Sequence, residues 1–144
     1  MKVTITGAAG FIGQKLARAL LDGRPLIGAD GASQAVSQLI LADVVAPPPA
    51  LANDDRVTVV TGDIAELDFL AAILPADVAS VFHMAAVVSA GAEADFDLGM
   101  AVNLTATQRM LEILRQHGTG PKLVFASSCA VYGGDMAEIL DDRH

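Results

Sequence analysis

The 144-residue chain has one cysteine, one tyrosine and no tryptophan, and basic residues are scarce. A single cysteine, Cys129, excludes an intramolecular disulfide and is typical of a reducing compartment. Nine lysines and arginines against seventeen acidic residues leave a net charge of −8. Because nucleic acids and anionic membranes bind clustered cations, this balance argues against both kinds of partner. A nucleotide held by backbone N–H groups is still allowed, since that binding needs no cationic side chain.

Long apolar runs are also missing, although 53% of the residues are hydrophobic. The longest candidate, residues 78–90, contains His83 and two serines, and it falls short of the roughly 18 residues that a membrane-spanning helix needs. A glycine loop interrupts the first apolar run, so the N-terminus does not resemble a signal peptide and we expect a cytoplasmic protein. A high apolar content without a membrane-spanning segment is typical of a parallel sheet, whose central strands are buried on both faces.

Strand-like and helix-like segments alternate along the chain. Apolar runs predict strands at residues 2–6, 39–43, 56–63 and 122–128, a strand with its outgoing loop at 78–88, and a weaker run at 25–30. Helical spacing predicts three core-facing stripes: Ile12, Leu16, Ala19 and Leu20; Leu67, Leu70, Ala71 and Leu74; and Val102, Ala106, Met110, Ile113 and Leu114. This alternation predicts one α/β domain over residues 1–144, a Rossmann-type doubly wound parallel sheet.

Three glycines, Gly7, Gly10 and Gly13, lie between the first strand and the first helix. In that context Gly7 permits a tight turn, Gly10 a close approach to a diphosphate, and Gly13 close packing of the helix on the sheet. The helix N-terminus offers the N–H groups of Phe11 and Ile12 and a partial positive charge. The loop therefore predicts a dinucleotide site, and a glycine-rich turn without a ligand is the alternative.

An acidic residue at the end of the second strand is expected to accept a hydrogen bond from the adenosine 2′-hydroxyl. Its distance from the glycine loop favours Asp30, whereas the quality of the preceding strand favours Asp43, because Pro25 and Gly28 weaken the first run. Either carboxylate would repel a 2′-phosphate, so both choices favour NAD over NADP.

Five short motifs occur in one order along nearly the whole chain: TGAAGFIG (6–13), GDI (62–64), VFHMAA (81–86), VNLTAT (102–107) and FASSCAVYG (125–133). Together they resemble the extended short-chain dehydrogenase/reductase family, the NAD-dependent epimerase/dehydratase group. Segments 39–47 and 82–104 most resemble the branch of that family that oxidises D-erythronate. The resemblance implies an N-terminal NAD-binding Rossmann domain over residues 1–144, truncated before the substrate-binding half.

The resemblance implies a role in cofactor binding for six further residues. It assigns the ribose contact to Asp43, the adenine pocket to Asp63 and Ile64, the floor beneath the ribose and phosphates to Ala85 and Ala86, and a position near the cofactor to Asn103. Two of these have structural alternatives. Asp63 is also placed to cap the following helix, and Asn103, expected on a buried helix face, is placed to bond a strand end.

The last predicted strand ends in a pair of serines, and the resemblance makes Ser128 the catalytic one. Its hydroxyl would hold the substrate oxygen during hydride transfer, whereas the alternative is a serine that merely opens a loop. His83 lies in an apolar strand, where histidine is usually a hydrogen-bonded core residue, and nothing indicates a metal. Tyr132 matches a structural tyrosine of the family rather than its acid/base.

The tyrosine–lysine pair that supplies the acid/base in this family, YxxxK, is absent. Tyr132 is the single tyrosine, Met136 stands four residues after it, and Lys122 is the last lysine. Two explanations stay open: an N-terminal part of a longer enzyme, or a free-standing NAD-binding module. We expect these 144 residues alone to bind NAD weakly and to catalyse nothing. The expected partners are a sugar-acid substrate and a second copy of the chain in a homodimer. The helical stripe from Val102 to Leu114 fits either a dimer face or core packing.

Overall fold

The computed structural model describes residues 1–132 and 134 of the chain. Its elements in chain order are β1 (Lys2–Thr6), α1 (Phe11–Leu21), β2 (Leu26–Ile27), β3 (Ser33–Gln34), β4 (Gln38–Asp43), α2 (Pro49–Ala52), β5 (Val57–Thr61), α3 (Leu67–Ile73), β6 (Ser80–His83), α4 (Ser89–Ala94), α5 (Phe96–Gly99), α6 (Ala106–His117) and β7 (Lys122–Phe125). A π-helical segment, Met100–Thr105, joins α5 to α6, and a 3-10 turn, Cys129–Tyr132, follows β7.

Five parallel strands form the main sheet in the order β5-β4-β1-β6-β7. The chain first moves outward from β1 through β4 to β5 and then crosses to the other side of β1 for β6 and β7. Thr6 at the carboxyl end of β1 pairs with Ala42 of β4 and with His83 of β6. The Rossmann-type prediction is confirmed, and the reversal at β1 creates a crevice where ligands of such sheets bind.

Helices pack on both faces of the central strands of the sheet. Along β1 the side chains alternate, so Val3 and Ile5 pack with α1 and α2 while Thr4 and Thr6 face the opposite layer. On that opposite side Val81 of β6 joins a core with Met110 of α6 and residues of α3. Burial on both faces is confined to the central strands β1, β4 and β6, whereas most residues of the outer strands β5 and β7 are partly or fully exposed.

The predicted stripes are right for α6 and partly wrong for α1 and α3. Val102, Ala106, Met110 and Leu114 are buried and Ile113 packs against the same core. On α1, however, Ile12 is 59% exposed and the buried face consists of Gly13, Ala17 and Leu20. On α3, Leu67 and Ala71 are exposed while Leu70, Ile73 and Leu74 are buried. Ile12 and Leu67 lie in first turns, where side chains lean toward the helix N-terminus and past the layer beneath.

The weak run at residues 25–30 is not a strand of the main sheet. It contributes β2 to a separate antiparallel hairpin with β3. Lys122, the first residue of β7, donates from Nζ to the carbonyl of Ile27 over 2.9 Å, and the N-terminal ammonium donates to the carbonyl of Ala35 over 2.8 Å. These contacts hold the hairpin near the amino ends of the strands. Within the described residues, no helix is long and apolar enough to cross a bilayer.

Candidate cofactor and active site

The glycine loop is folded tightly against the end of β6. Gly7 has a φ of +67°, and a Cβ there would lie 2.7 Å from the backbone of both Met84 and Ala85. A Cβ on Gly13 would meet the carbonyl oxygen of Gly7 and lie 2.8 Å from the Cα of Ala8. Both glycines are therefore required by contacts within the protein itself.

Gly10 differs, because a Cβ there would meet only the carbonyl oxygen of Gly7, at 3.2 Å. This residue is exposed and begins α1 without a side-chain cap, and the first turn contains no acidic residue. The first N–H groups of a helix have no intrahelical partner and carry a partial positive charge. Phe11 and Ile12 of this turn are also exposed. The space beside Gly10 thus fits an anionic group such as a diphosphate.

Asp43 ends β4 beside this loop. Its Oδ2 accepts a hydrogen bond from the N–H of Ala9 over 2.9 Å, and its Oδ1 lies 3.4 Å from the N–H of Val45. Asp30 instead lies in the hairpin turn, where it accepts from the N–H of Ala32 over 3.0 Å. Of the two candidate carboxylates, the structure brings Asp43 to the glycine loop and keeps Asp30 away from it.

Asp63 and Ile64 follow β5, next to the end of β4. The two strand ends are joined by a hydrogen bond of 2.9 Å from the N–H of Gly62 to the carbonyl of Asp43. Asp63 is exposed and accepts from the N–H of Ala65 over 2.9 Å, but Glu66 is the N-cap of α3, so the predicted helix-capping alternative is wrong. The side chain of Ile64 is 5% exposed and packs in the core, so this residue has only its backbone to offer a ligand.

Asn103 holds the loop that leaves β6. Its Oδ1 accepts from the N–H of Val87 over 2.8 Å, and its Nδ2 donates to the carbonyl of Val87 over 2.9 Å. The residue is exposed rather than on a buried face as predicted, because it lies in the π-helical segment next to the core stripe. The structural alternative, a bond to a strand end, is right only in part, because Val87 lies in the loop four residues after the end of β6.

A cavity of about 640 Å³ lies beyond the ends of β6 and β7. Four of the predicted site residues line it: Ala85, Ala86, Asn103 and Ser128. Ser128 is exposed, and its Oγ accepts from the N–H of Ala130 over 3.2 Å. Gly7 lies against the backbone of Ala85, which lines this cavity, and Asp43 bonds the glycine loop, so the loop, Asp43 and Ser128 all lie at the carboxyl ends of the strands.

His83 is a buried core residue, 1% exposed, as the sequence predicted. Its Nδ1 lies 2.7 Å from Oγ1 of Thr6 and its Nε2 lies 3.1 Å from Oγ1 of Thr107. Burial lowers the pKa of His83 below its ordinary value of 6.5, so the ring is neutral at neutral pH. Sequence reasoning did not identify either threonine as a partner. Thr6, however, stands directly before Gly7, and a hydroxyl at the end of a buried strand needs a partner.

Two further predictions concern residues near the end of the chain. Tyr132 lies in the 3-10 turn after β7 and does not line the described cavity, whereas Met136 lies outside the described residues. Within residues 1–132 and 134, no group of three His, Cys, Asp or Glu side chains is arranged to hold a metal ion.

A family model described as the NAD-dependent epimerase/dehydratase family matches residues 3–143. Two curated relatives are D-erythronate dehydrogenases. The one from Cupriavidus necator is 49% identical over 142 residues, which cover 99% of this chain and 43% of the relative. The one from Haemophilus influenzae is 38% identical over 99% of this chain and 42% of the relative.

A dTDP-glucose 4,6-dehydratase from Streptomyces venezuelae, solved with NAD bound, has a similar structure. Its TM-score is 0.75 at 30% sequence identity, over 95% of this chain and 42% of the dehydratase. The chain therefore spans less than half of the length of these relatives. The matched portion contains the glycine loop, the strand ends after β4, β5 and β6, and the serine pair after β7.

Proposed function

Because the chain belongs to the NAD-dependent epimerase/dehydratase family, we propose that it is the cofactor-binding part of an NAD-dependent sugar-acid dehydrogenase. The observation that carries the proposal is the Asp43 carboxylate beside the glycine loop, hydrogen-bonded to the N–H of Ala9. A carboxylate there accepts from a ribose 2′-hydroxyl and repels a 2′-phosphate, which selects NAD over NADP.

We assign the remaining contacts by where each residue lies. The N–H groups of Phe11 and Ile12 at the start of α1 hold the diphosphate, and Gly10 leaves room for it. Asp63 is exposed after β5, and its carboxylate would accept from an exocyclic amine of adenine in addition to the N–H of Ala65. Ala85 and Ala86 form a floor of small side chains beneath the ribose and phosphates.

The chemistry that NAD supplies when bound is acceptance of a hydride from a secondary alcohol. Ser128 lies in the same cavity as Ala85 and Ala86, where its hydroxyl can hydrogen-bond the substrate oxygen and orient it. The reaction also needs a base for the alcohol proton. The sequence contains no YxxxK pair for that purpose, so in our proposal the 144 residues alone bind NAD without turnover.

The substrate proposed for the whole enzyme is D-erythronate, oxidised at the carbon next to its carboxylate, and the two D-erythronate dehydrogenases support it. The similarity to a dTDP-glucose dehydratase favours a second candidate, a nucleotide-sugar epimerase or dehydratase with tightly held NAD. A non-catalytic NAD-binding module is the third.

These candidates are separated by measuring the absorbance of NADH. The protein assayed is one that contains this chain and has the full length of its relatives. Accumulation of NADH with D-erythronate supports a dehydrogenase. An epimerase or dehydratase regenerates NAD and accumulates none, and a binding module is inert toward every substrate.

The cofactor site is tested by titrating NAD and NADP into the chain and its variants. Asp43→Ala is expected to weaken NAD binding about 10- to 100-fold, because hydrogen bonds to charged groups contribute about 1.5–3 kcal/mol. It should also narrow the preference for NAD over NADP. Asp30→Ala is the matched control, since that carboxylate bonds only within its hairpin among the described contacts. Loss of NAD binding in Asp30→Ala, with none in Asp43→Ala, would contradict the assignment.

We also propose a homodimer in the cytoplasm. Val102, Ala106, Met110 and Leu114 are in the core and not available for a dimer face, but Met100, Leu104 and Leu111 are exposed on the outer side of the same helix.

Cys129, the single cysteine, is exposed as a free thiol, which is consistent with a reducing compartment.

A further inference from the structure

Two threonines connect the imidazole of His83 to backbone groups. Thr6 reaches the N–H of Ala85 in the loop after β6, and Thr107 reaches the carbonyl of Asn103 in the π-helical segment. On one side Oγ1 of Thr6 contacts Nδ1 of His83 over 2.7 Å and also accepts from the N–H of Ala85 over 3.2 Å. On the other side Oγ1 of Thr107 contacts Nε2 of His83 over 3.1 Å and donates to the carbonyl of Asn103 over 2.9 Å. This series of contacts links β1, β6 and α6.

The tautomer of His83 follows from counting the protons that the two threonine hydroxyls can donate. A threonine hydroxyl has a single proton, and Thr107 gives its proton to the carbonyl of Asn103. Thr107 therefore accepts from His83, which must be protonated at Nε2. The neutral ring then has a bare Nδ1, which accepts the hydroxyl proton of Thr6. With this tautomer each of these polar atoms has a partner, and no buried side-chain nitrogen or oxygen among the described residues lacks one.

Both ends of the series reach the same loop. The N–H of Ala85 is bound directly by Thr6. Val87 is held through its N–H and its carbonyl by the side chain of Asn103, whose own backbone carbonyl accepts from Thr107. The segment from Ala85 to Val87 is thus anchored at both ends by groups that meet at one buried imidazole, and it lines the cavity of the proposed cofactor site.

We propose that His83, as the neutral Nε2–H tautomer, is a positioning residue that fixes the Ala85–Val87 backbone for the cofactor through Thr6 and Thr107. This inference rests on the proposed function. His83 itself is buried and acts only through the two hydroxyls. A histidine with a packing role alone would contribute to stability but would not couple the hydroxyl of Thr107 to the affinity for NAD.

The test compares Thr107→Val, which keeps the shape and removes the hydroxyl, with Thr107→Ser, which keeps the hydroxyl. Thr58→Val is the matched control, because Thr58 is exposed on β5. NAD affinity is measured by calorimetric titration of the folded chain, and the tautomer of His83 is read from its imidazole ¹⁵N shifts. We expect a loss of affinity of about 3- to 10-fold in Thr107→Val, the size expected for one hydrogen bond. We also expect a shift in the ¹⁵N signature, and recovery of both in Thr107→Ser.

The outcomes distinguish this inference from the proposal on which it rests. An unsubstituted chain that binds no NAD overturns the proposed function and, with it, the positioning role. NAD binding that is equal in the unsubstituted chain and in Thr107→Val overturns the positioning role alone. An Nδ1–H tautomer in the unsubstituted chain also overturns it, and that measurement stands even if Thr107→Val does not fold.

Discussion

A methyl group added at Gly13 would lie 2.8 Å from the Cα of Ala8 and against the carbonyl of Gly7, whereas at Gly10 it would meet only the carbonyl oxygen of Gly7, at 3.2 Å. The first clash involves backbone that cannot move without shifting the loop or α1. The second requires the carbonyl of Gly7 to shift by only a few tenths of an ångström, but it fills space that the proposed diphosphate needs. At the scale of single residues, the glycines of one loop therefore serve packing and binding separately.

Gly13→Ala and Gly10→Ala are expected to separate stability from binding. Overpacking should lower the free energy of unfolding of Gly13→Ala by about 1–3 kcal/mol. Gly10→Ala should lose less stability than Gly13→Ala, because its single close contact is longer, but it should bind NAD more weakly. Denaturant titration and calorimetry measure the two quantities. A Gly10→Ala chain that binds NAD as tightly as the original would contradict the diphosphate assignment.

His83 should make the stability of the chain depend on pH. Burial lowers its pKa in the folded state, so below the unfolded-state value of about 6.5 the unfolded chain binds more protons. Its contribution to stability is therefore complete above that value and is lost as the pH falls toward the folded-state pKa, by at most about 1.4 kcal/mol per pH unit.

The measurement is denaturant unfolding at several pH values between about 7.5 and 5.5, where the histidine titrates. His83→Gln removes the titrating group and should flatten the dependence in this range, whatever its effect on absolute stability. Equal slopes for the two chains would show that His83 is not responsible.

At the scale of elements, the helix formed by α5, the π-helical segment and α6 presents two different sides. Its inner side supplies Met110 to the core and Thr107 to His83. Asn103, in the π-helical segment, reaches the loop after β6. π-Helical segments inside α-helices often occur at functional sites. Here the segment contains the residue that contacts the proposed cofactor loop.

Substitutions at two neighbouring residues of α6 test this division. Met110 is fully buried, while Leu111 is 48% exposed. Met110→Ala should lower the free energy of unfolding by about 2–5 kcal/mol, because it removes core contacts and leaves a cavity. Leu111→Ala should change it by about 0.5 kcal/mol or less, as for most surface positions. Chemical denaturation of both variants checks the order, and a larger loss in Leu111→Ala would contradict the described burial.

At the scale of the whole molecule, the reversal of strand order at β1 gathers residues distant in sequence at one edge of the sheet. Gly7, Asp43, Ala85 and Ser128 lie at the ends of different strands or within three residues after them. The helical layers leave this edge open and cover both faces of the central strands. They also leave Met100, Leu104 and Leu111 exposed on the outer side of one layer, and this is where we propose that a second copy of the chain packs.

Sedimentation measurements test the homodimer. The unsubstituted protein should sediment with twice the 14.8 kDa mass of a single chain. A variant with Leu104→Glu and Leu111→Glu should sediment as a monomer, because burying two carboxylates without partners is costly. Leu67→Glu is the control, since Leu67 is equally an exposed leucine, on α3. A monomeric original chain, or a double variant that still dimerises, would exclude this surface as the interface.

The sequence by itself determined the fold class, the glycine loop and the family, because these depend on local periodicity and on short motifs. Alternation of strands and helices predicted the sheet, and the stripe on α6 was correct since every member contacts one continuous core. The helical spacing of apolar residues was less informative about burial in the first turns of α1 and α3. Ile12 and Leu67 have helical spacing but extend beyond the layer they were expected to cover.

Only the tertiary structure decided which groups meet. It showed that residues 25–30 belong to a hairpin and that Asp43, rather than Asp30, reaches the glycine loop. It also joined His83 to Thr6, 77 residues away, and to Thr107, 24 residues away. Such contacts depend on strand order and register, since parallel neighbours are connected through long crossovers and no local pattern records which strand ends become adjacent.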